Sequence, residues 1–201
     1  MKKIKRNHFY FFFRGILRPV FFLKYHMKYK GVENIPAEGA YILASNHRQS
    51  IDPILISAGT KREVQYMAKE ELFRNRFIGW FLRKLGAFPV GRGKADRGAI
   101  KHFEKVLNDG YLMGIFIEGT RSKTDEFLPP KNGVSLIAYD TKTPVIPVCI
   151  THVGKKRVIH FGKPLSMTDM GFETGGAREL RGASRIIMDH IKELREQDLN
   201  G

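Results

Sequence analysis

The sequence is poor in several features that mark common classes of protein. It has a single cysteine, Cys149, which excludes an intrachain disulfide framework and fits a reducing compartment. It has no G-x-S-x-G motif and no Walker A motif, which argues against a serine hydrolase and a P-loop nucleotide-binding protein. Its seven histidines are scattered without metal-ligand spacing, so we expect no metal site and no resident cofactor.

Long hydrophobic runs are also missing. The aromatic-rich amino terminus has two apolar runs, 9–13 and 20–23, which are too short to span a bilayer and are separated by basic residues. No long apolar core leads to a small-residue cleavage site, which argues against a signal peptide. Pro19 predicts a break between two short helices. Residues 1–27 are therefore predicted to lie flat on a membrane with Phe side chains buried and bases at the headgroups, the alternative being a Phe face packed on the protein itself.

Acidic residues are scarce relative to basic ones. The chain has 20 Asp and Glu residues against 35 Lys and Arg residues, a net charge of +15. This balance predicts an anionic partner: nucleic acid, a membrane surface, an acidic ligand or an acidic carrier protein. The length of 201 residues and the hydrophobic content of 42% suit one globular domain with a sizeable core.

Strand and helix patterns alternate after the amino terminus. Short buried strands are predicted at 41–45, 64–68, 87–90, 113–117, 145–150 and 157–162. Helices are predicted at 53–59, 69–85, 96–108, 133–139 and 177–197. This alternation predicts an α/β domain over residues 28–201, with a largely parallel or mixed sheet flanked by helices. The irregular stretch 121–133 is predicted to be a loop after a strand end, where α/β proteins usually build their sites.

The segment ASNHRQSIDP, residues 44–53, places a histidine and an aspartate five positions apart. On a helix, five residues rotate by about 500°, which would turn the two side chains about 140° apart. Asp52 followed by Pro53 is typical of a helix start, with Asp at the N-cap. His47 is therefore predicted to lie in a strand-to-helix turn, where Asp52 can fix its tautomer and leave the other ring nitrogen as a base. The alternative is that Asp52 only caps the helix and His47 is a loop residue.

Three cations follow the ends of predicted strands. Lys69 ends one strand, Arg92 follows a second in FPVGRG, and Arg121 follows a third in FIEGTRS. Parallel topology would let them converge with His47, and converging cations with turn amides form a phosphate site. The alternative for each is a solvated surface base.

The order of these motifs resembles a known family. His47 and Asp52 with four residues between them, FPVGR at 88–92, FIEGTRS at 116–122 and VIPV at 145–148 are similar to the four motifs of the glycerolipid acyltransferases. The closest resemblance is to the bacterial 1-acyl-sn-glycerol-3-phosphate acyltransferases, the PlsC family.

This resemblance covers roughly residues 29–165, and the amino-terminal segment is similar to the family's membrane-associated helices. One departure is Ile117, which stands where the third motif usually has proline, and isoleucine still suits a strand.

The resemblance implies transfer of an acyl group from a thioester, acyl-CoA or acyl-ACP, to the sn-2 hydroxyl of 1-acyl-glycerol 3-phosphate, giving phosphatidic acid for phospholipid synthesis. His47 is the expected general base, oriented by Asp52, and no enzyme nucleophile is needed because the thioester is already activated. The residues expected to bind substrate are Lys69, Arg92, Glu118, Gly119, Thr120 and Arg121. Glu118 either bonds a glycerol hydroxyl or holds Arg121, and the oxyanion donors are turn amides near His47 or near Gly119.

Two other functions stay open at this stage. An acyltransferase of the same superfamily would act on glycerol 3-phosphate or a lysophospholipid instead. A non-enzymatic basic protein that binds membranes or nucleic acid would give no special role to His47. The acyltransferase interpretation predicts a peripheral or monotopic protein on the cytoplasmic face of the cell membrane, with lysophosphatidic acid and an acyl carrier protein or coenzyme A thioester as partners and no nucleic acid.

Overall fold

The computed structural model describes residues 7–91 and 97–200. The strands are β1 Met27–Lys30, β2 Tyr41–Ser45, β3 Val64–Lys69, β4 Ala87–Val90, β5 Leu112–Phe116, β6 Val145–Val153 and β7 Lys156–Phe161. The α-helices are α1 His8–Tyr25, α2 Asp52–Gly59, α3 Arg76–Lys84, α4 Arg97–Asn108, α5 Gly133–Thr141 and α6 Ala177–Asn200. Short 3-10 helices cover Val32–Asn34 and Glu70–Phe73.

The seven strands form one sheet in the order β1-β7-β6-β2-β5-β3-β4. All neighbouring pairs are parallel except β6 and β7, which form an antiparallel hairpin. The predicted α/β domain with a largely parallel or mixed sheet is therefore confirmed. Strands β2 to β6 run in one direction, so their carboxyl ends lie at the same edge of the sheet, which is where α/β proteins build their sites.

Helices cover both faces of the sheet, and each face has its own core. One core joins the sheet to α4, α5 and α6 through side chains such as Phe103, Ile137 and Ile187. The other joins it to α1 and α2 through Phe21, Leu55 and neighbouring residues. Burial on both faces explains why the central strands read as nearly continuous apolar runs rather than as alternating patterns.

The amino-terminal helix departs from its predicted form. α1 is one helix of 18 residues that continues through Pro19, and no second short helix forms within residues 8–25. The proline removes one hydrogen bond, to the carbonyl of Gly15, and Gly15 is exposed to solvent that can satisfy it. Tyr10 and Phe21 are buried against the domain, so part of the Phe-rich face packs on the protein, whereas Phe12 and Leu23 are 65% and 75% exposed.

Two more local features differ from the sequence prediction. The single helix predicted for residues 69–85 is divided into the 3-10 helix and α3. The division lies at Asn75, whose side chain accepts hydrogen bonds from the amides of Phe77 and Ile78 at 3.0 and 3.1 Å and so starts a new helix. Strand β1 was not predicted, because four residues of mixed polarity at a sheet edge carry little pattern.

No helix within the described residues combines the length and the apolar composition that crossing a bilayer would require.

Candidate active site

The turn between β2 and α2 brings His47 and Asp52 together as predicted. Nδ1 of His47 lies 2.9 Å from Oδ2 of Asp52, whose side chain is fully buried. The same carboxylate oxygen accepts hydrogen bonds from the amides of Arg48 and Gln49, each at 2.7 Å. These contacts close the turn around the carboxylate and aim the imidazole at it.

The role of Asp52 in the helix differs from the prediction. Ile51 is the N-cap residue, Asp52 is the first helical residue, and Pro53 follows it in the first turn. The carboxylate reaches back to the preceding turn rather than forward to the helix amides, because its oxygen is already engaged by Arg48 and Gln49. Since a carboxylate accepts only, the facing Nδ1 carries the proton, and Nε2 is left as the basic nitrogen.

An aromatic ring fixes the histidine from its face. The imidazole of His47 stacks on Phe116 with ring centroids 3.8 Å apart and an angle of 15° between planes. Tyr66 lies behind Phe116, with centroids 6.1 Å apart. The Tyr66 ring fits there because residue 114 is glycine, where an added Cβ would lie 2.0 Å from a carbon of that ring. The stack leaves the imidazole few orientations.

The backbone of His47 is held by the segment that follows β5. Its amide donates to Oε1 of Glu118 at 3.3 Å, and its carbonyl accepts from the amide of Ser122 at 2.8 Å. The other carboxylate oxygen of Glu118 accepts from the amide of Leu128 at 3.3 Å. The FIEGTRS segment, residues 116–122, thus supports the turn between β2 and α2 directly.

Glu118 occupies a position that neither sequence alternative foresaw. It is 1% exposed, and its described contacts are with backbone amides rather than with Arg121. Burial raises the pKa of its carboxyl group, and the two amide hydrogen bonds and the nearby His47 and Arg48 oppose that rise. The geometry therefore makes Glu118 a positioning residue for His47, and Glu118 is not among the residues that line the cavity beside that histidine.

Arg121 and Lys69 converge with His47 at one end of a cavity of about 430 Å³. Nη1 of Arg121 donates to Oγ of Ser50 at 2.7 Å, which holds the guanidinium beside the turn of residues 47–52. Gly119 and Thr120 are exposed in the connecting turn, and Gly119 has a φ of +68°, a conformation that favours glycine. Arg92 lies outside the described residues.

The rest of the cavity is mainly apolar, although Arg14 of α1 and Ser57 of α2 also line it. It extends from His47 between α1, α2, β3 and α3, and among its walls are Leu17, Ile54, Phe81 and Leu82. Tyr10 also lines it, and its hydroxyl accepts from the amide of Val64 at 3.2 Å. A basic and polar end joined to a long apolar interior suits an amphipathic ligand.

Sequence reasoning missed Asn46 and Phe116 as site residues. The side chain of Asn46 accepts from the amide of Ile150 at 2.8 Å and donates to the carbonyl of the same residue at 3.1 Å, which ties the start of the turn to β6. A buried polar residue directly before the histidine was the available signal for Asn46. Phe116 had none, because a Phe at a strand end is read as core.

The chain is similar in sequence to known acyltransferases. A protein-family model described as Acyltransferase matches residues 26–151. The chain is 34% identical over 195 residues to the 1-acyl-sn-glycerol-3-phosphate acyltransferase of Bacillus subtilis, covering 92% of this chain and 96% of that protein. It is 33% identical over 175 residues to the protein of the same name from Streptococcus pneumoniae, covering 81% of this chain and 64% of that protein.

A solved structure has the same architecture. The crystal structure of the 1-acyl-sn-glycerophosphate (LPA) acyltransferase PlsC from Thermotoga maritima aligns with a TM-score of 0.69 and 25% sequence identity. The alignment covers 92% of this chain and 80% of that one.

Proposed function

Because the chain belongs to the acyltransferase family and is a 1-acylglycerol-3-phosphate O-acyltransferase, we propose that His47 is its general base, oriented by Asp52. We also propose that the acyl donor is a coenzyme A or acyl carrier protein thioester. The reaction acylates 1-acyl-sn-glycerol 3-phosphate to phosphatidic acid. The observation that carries the catalytic assignment is the 2.9 Å contact between Nδ1 of His47 and the buried carboxylate of Asp52 at the polar end of the cavity.

In the proposed mechanism, Nε2 of His47 removes the proton of the sn-2 hydroxyl as the oxygen attacks the thioester carbonyl. The tetrahedral intermediate then collapses, the carbon–sulfur bond breaks, and the leaving thiolate takes the proton back from the imidazolium. Asp52 stabilises that imidazolium and keeps the Nδ1 proton in place. General-base catalysis of this kind contributes about 10²–10⁴-fold in rate.

No cysteine nucleophile takes part in this proposal. Cys149 is buried in β6 among apolar neighbours. Burial raises the pKa of its thiol to about 12, so the thiolate is scarce at neutral pH. Direct transfer from thioester to alcohol is therefore the simpler route.

We assign the acceptor phosphate to the cationic end of the cavity. Lys69 and Arg121 lie there with His47 and Ser50, and a guanidinium held by a hydroxyl is a strong phosphate partner. Arg92 is proposed to join them from the β4 end, on the resemblance alone. The apolar interior then receives an acyl chain, because its lining is predominantly apolar and it is continuous with His47.

Residues 1–27 are proposed to hold the enzyme on the cytoplasmic face of the membrane without crossing it, with the acyltransferase domain spanning 28–201. The exposed apolar side chains of α1 and the net charge of +15 support attachment to anionic lipid.

The test is an assay of the purified protein with lysophosphatidic acid and each acyl donor, with products identified by mass. Glycerol 3-phosphate and a lysophospholipid without a terminal phosphate serve as competing acceptors. Phosphatidic acid formed from lysophosphatidic acid in preference to both supports the proposal. Faster acylation of either competitor would show that the competitor, and not lysophosphatidic acid, is the preferred acceptor. The absence of transfer from any thioester would overturn the mechanism.

A further inference from the structure

Helix α3 has an unusual distribution of side chains for a helix of a folded domain. Gly79 is the only buried residue among its nine. Phe77, Ile78 and Trp80 are 75%, 45% and 48% exposed. Large apolar side chains clustered on a surface mark an interaction site.

This surface is continuous with the exposed side of α1. The ring of Trp80 meets Phe9 of α1 edge-on with centroids 5.5 Å apart, and Phe77 lies 6.3 Å from Trp80. The adjacent Phe81 contacts Phe13 of α1, with centroids 5.0 Å apart. The two helices therefore present one apolar surface rather than two separate patches, although they are about 50 residues apart in sequence.

The charges around α3 indicate what covers it. No Asp or Glu occurs in residues 72–90. Four cations flank the exposed apolar residues and are themselves exposed: Arg74, Arg76, Arg83 and Lys84. Glu70 and Glu71 of the preceding 3-10 helix are the nearest acidic residues in the sequence. An apolar centre flanked by these four cations is complementary to an anionic lipid surface. A second copy of this chain would bring the same positive charges together, which disfavours self-association through this surface.

We propose that α3 inserts into the membrane interface through Phe77, Ile78 and Trp80, as a second lipid-binding element beside α1. The proposal rests on the proposed function, because Phe81 and Leu82 of the same helix line the cavity that contains His47. With both helices at the lipid surface, the cavity between them opens toward the leaflet that holds the lipid substrate. Attachment through α1 alone would not require α3 to face lipid.

The chain carries its own reporter for this test, since Trp80 is the only tryptophan. The full-length protein is bound to vesicles of phosphatidylglycerol and phosphatidylcholine, with brominated or ordinary acyl chains. We expect the Trp80 emission to shift to shorter wavelength and to be quenched by the brominated chains. Vesicle-bound protein whose emission is neither shifted nor quenched would overturn the proposal, as would a lipid-independent shift that accompanies dimer formation in sedimentation.

A pair of variants gives a second measurement. Phe77→Asp is expected to lower the vesicle partition coefficient about tenfold or more. Leu199→Asp makes a comparable change at a 53% exposed leucine on α6, which packs on the opposite face of the sheet, and should leave partition unchanged. Equal partition of Phe77→Asp and the wild type would also overturn the proposal.

Acyl transfer by the wild-type protein is measured in the same vesicles as an independent readout. A chain that transfers acyl groups while Trp80 remains in water keeps the proposed function and loses this inference. A chain that shows quenching without transfer keeps the inference and loses the function.

Discussion

At the scale of single residues, His47 is restrained from four directions. Asp52 holds its ring nitrogen, Phe116 stacks on its face, Glu118 binds its amide, and Ser122 binds its carbonyl. A general base must keep its orientation while the substrate arrives, because a small displacement costs much of the rate. The residues that surround His47 supply this restraint before substrate binds.

His47→Ala is expected to reduce turnover by about 10²–10⁴-fold, because it removes the proposed general base. The fold should stay intact, since the side chain of His47 is only partly buried. Asp52→Asn should also lose most activity, since an amide cannot stabilise the imidazolium as a carboxylate does. His190→Ala, at an exposed histidine paired with Glu193 on α6, is the matched control and should retain activity. Turnover above a few per cent in His47→Ala, at unchanged circular dichroism, would contradict the assignment.

Arg121→Ala is expected to weaken the binding of the phosphate-bearing acceptor roughly tenfold or more, which is the usual effect of losing one hydrogen bond to a charged group. The loss should appear mainly in KM and should be much smaller with a neutral monoacylglycerol, which has no phosphate. Lys123→Ala removes a nearby exposed cation and serves as the control. An equal loss with both acceptors would assign Arg121 a structural role through Ser50 instead.

His152 predicts a dependence of stability on pH. Burial, followed by Arg157 and Arg48, lowers the pKa of its imidazole from 6.5 to about 4. Between pH 6.5 and pH 4, His152 is protonated in the unfolded chain but stays neutral in the folded chain. The free energy of unfolding therefore falls as the pH falls from about 6.5 toward 4. The fall should be smaller in His152→Gln, measured by urea denaturation across this range. Identical pH profiles of the two proteins would show that His152 is not responsible.

At the scale of elements, α1 serves two purposes. Tyr10 and Phe21 belong to the domain, and Tyr10 also lines the cavity. Phe12, Phe22 and Leu23 project from the same helix and are well exposed. Removing the whole segment would therefore expose part of the core, so point substitutions test the anchor more cleanly than truncation.

The double variant Phe22→Ser, Leu23→Ser is expected to lower vesicle binding strongly without lowering the thermal midpoint. Burial of each side chain contributes at most about 1.5–3 kcal/mol, and less at an interface. High salt should release the wild-type protein only in part, because the apolar contribution is not screened. Leu136→Ser, at a partly exposed leucine of α5, is the control for sedimentation with vesicles. Complete release of the wild type by salt alone would contradict an apolar anchor.

At the scale of the whole molecule, the position of the cavity connects the proposed membrane-binding helices with the proposed active site. The cavity lies between α1 and α3 on one side and β3 and α2 on the other, with His47 at its polar end. The acceptor and product are lipids, so an active site that opens at the interface avoids transferring an acyl chain through water.

If α1 lies in one leaflet, both of its ends should be accessible to a labelling reagent from the same side of the membrane. His8→Cys and Lys24→Cys place thiols near the two ends of α1, both exposed. With protein added outside sealed vesicles, a membrane-impermeant maleimide should label both positions from the outside. Buried Cys149 gives little background, because its thiol pKa is raised to about 12. Protection of one end only would show that the segment crosses the bilayer.

Much of the architecture could be predicted from local pattern. Strands β2 and β4 were predicted with their observed bounds, since a short buried run between clear breakers specifies both strand and limits. The spacing of His47 and Asp52 required a turn, and the structure confirms that turn. Lys69, Arg92 and Arg121 were expected to converge with His47, since parallel strands end at one edge of the sheet. Lys69 and Arg121 line the same cavity as His47, and Arg92 lies outside the described residues.

The sequence by itself determined the α/β class, the residues at the strand ends and the shortness of every apolar run, because each depends on neighbours within a few positions. Only the tertiary structure decided that Glu118 faces the amide of His47, that Phe116 stacks on the imidazole, and that α1 and α3 share one exposed surface. These contacts join residues that are distant in the chain. Their partners are set by strand order and by how helices pack on the sheet, and local periodicity carries no information about either.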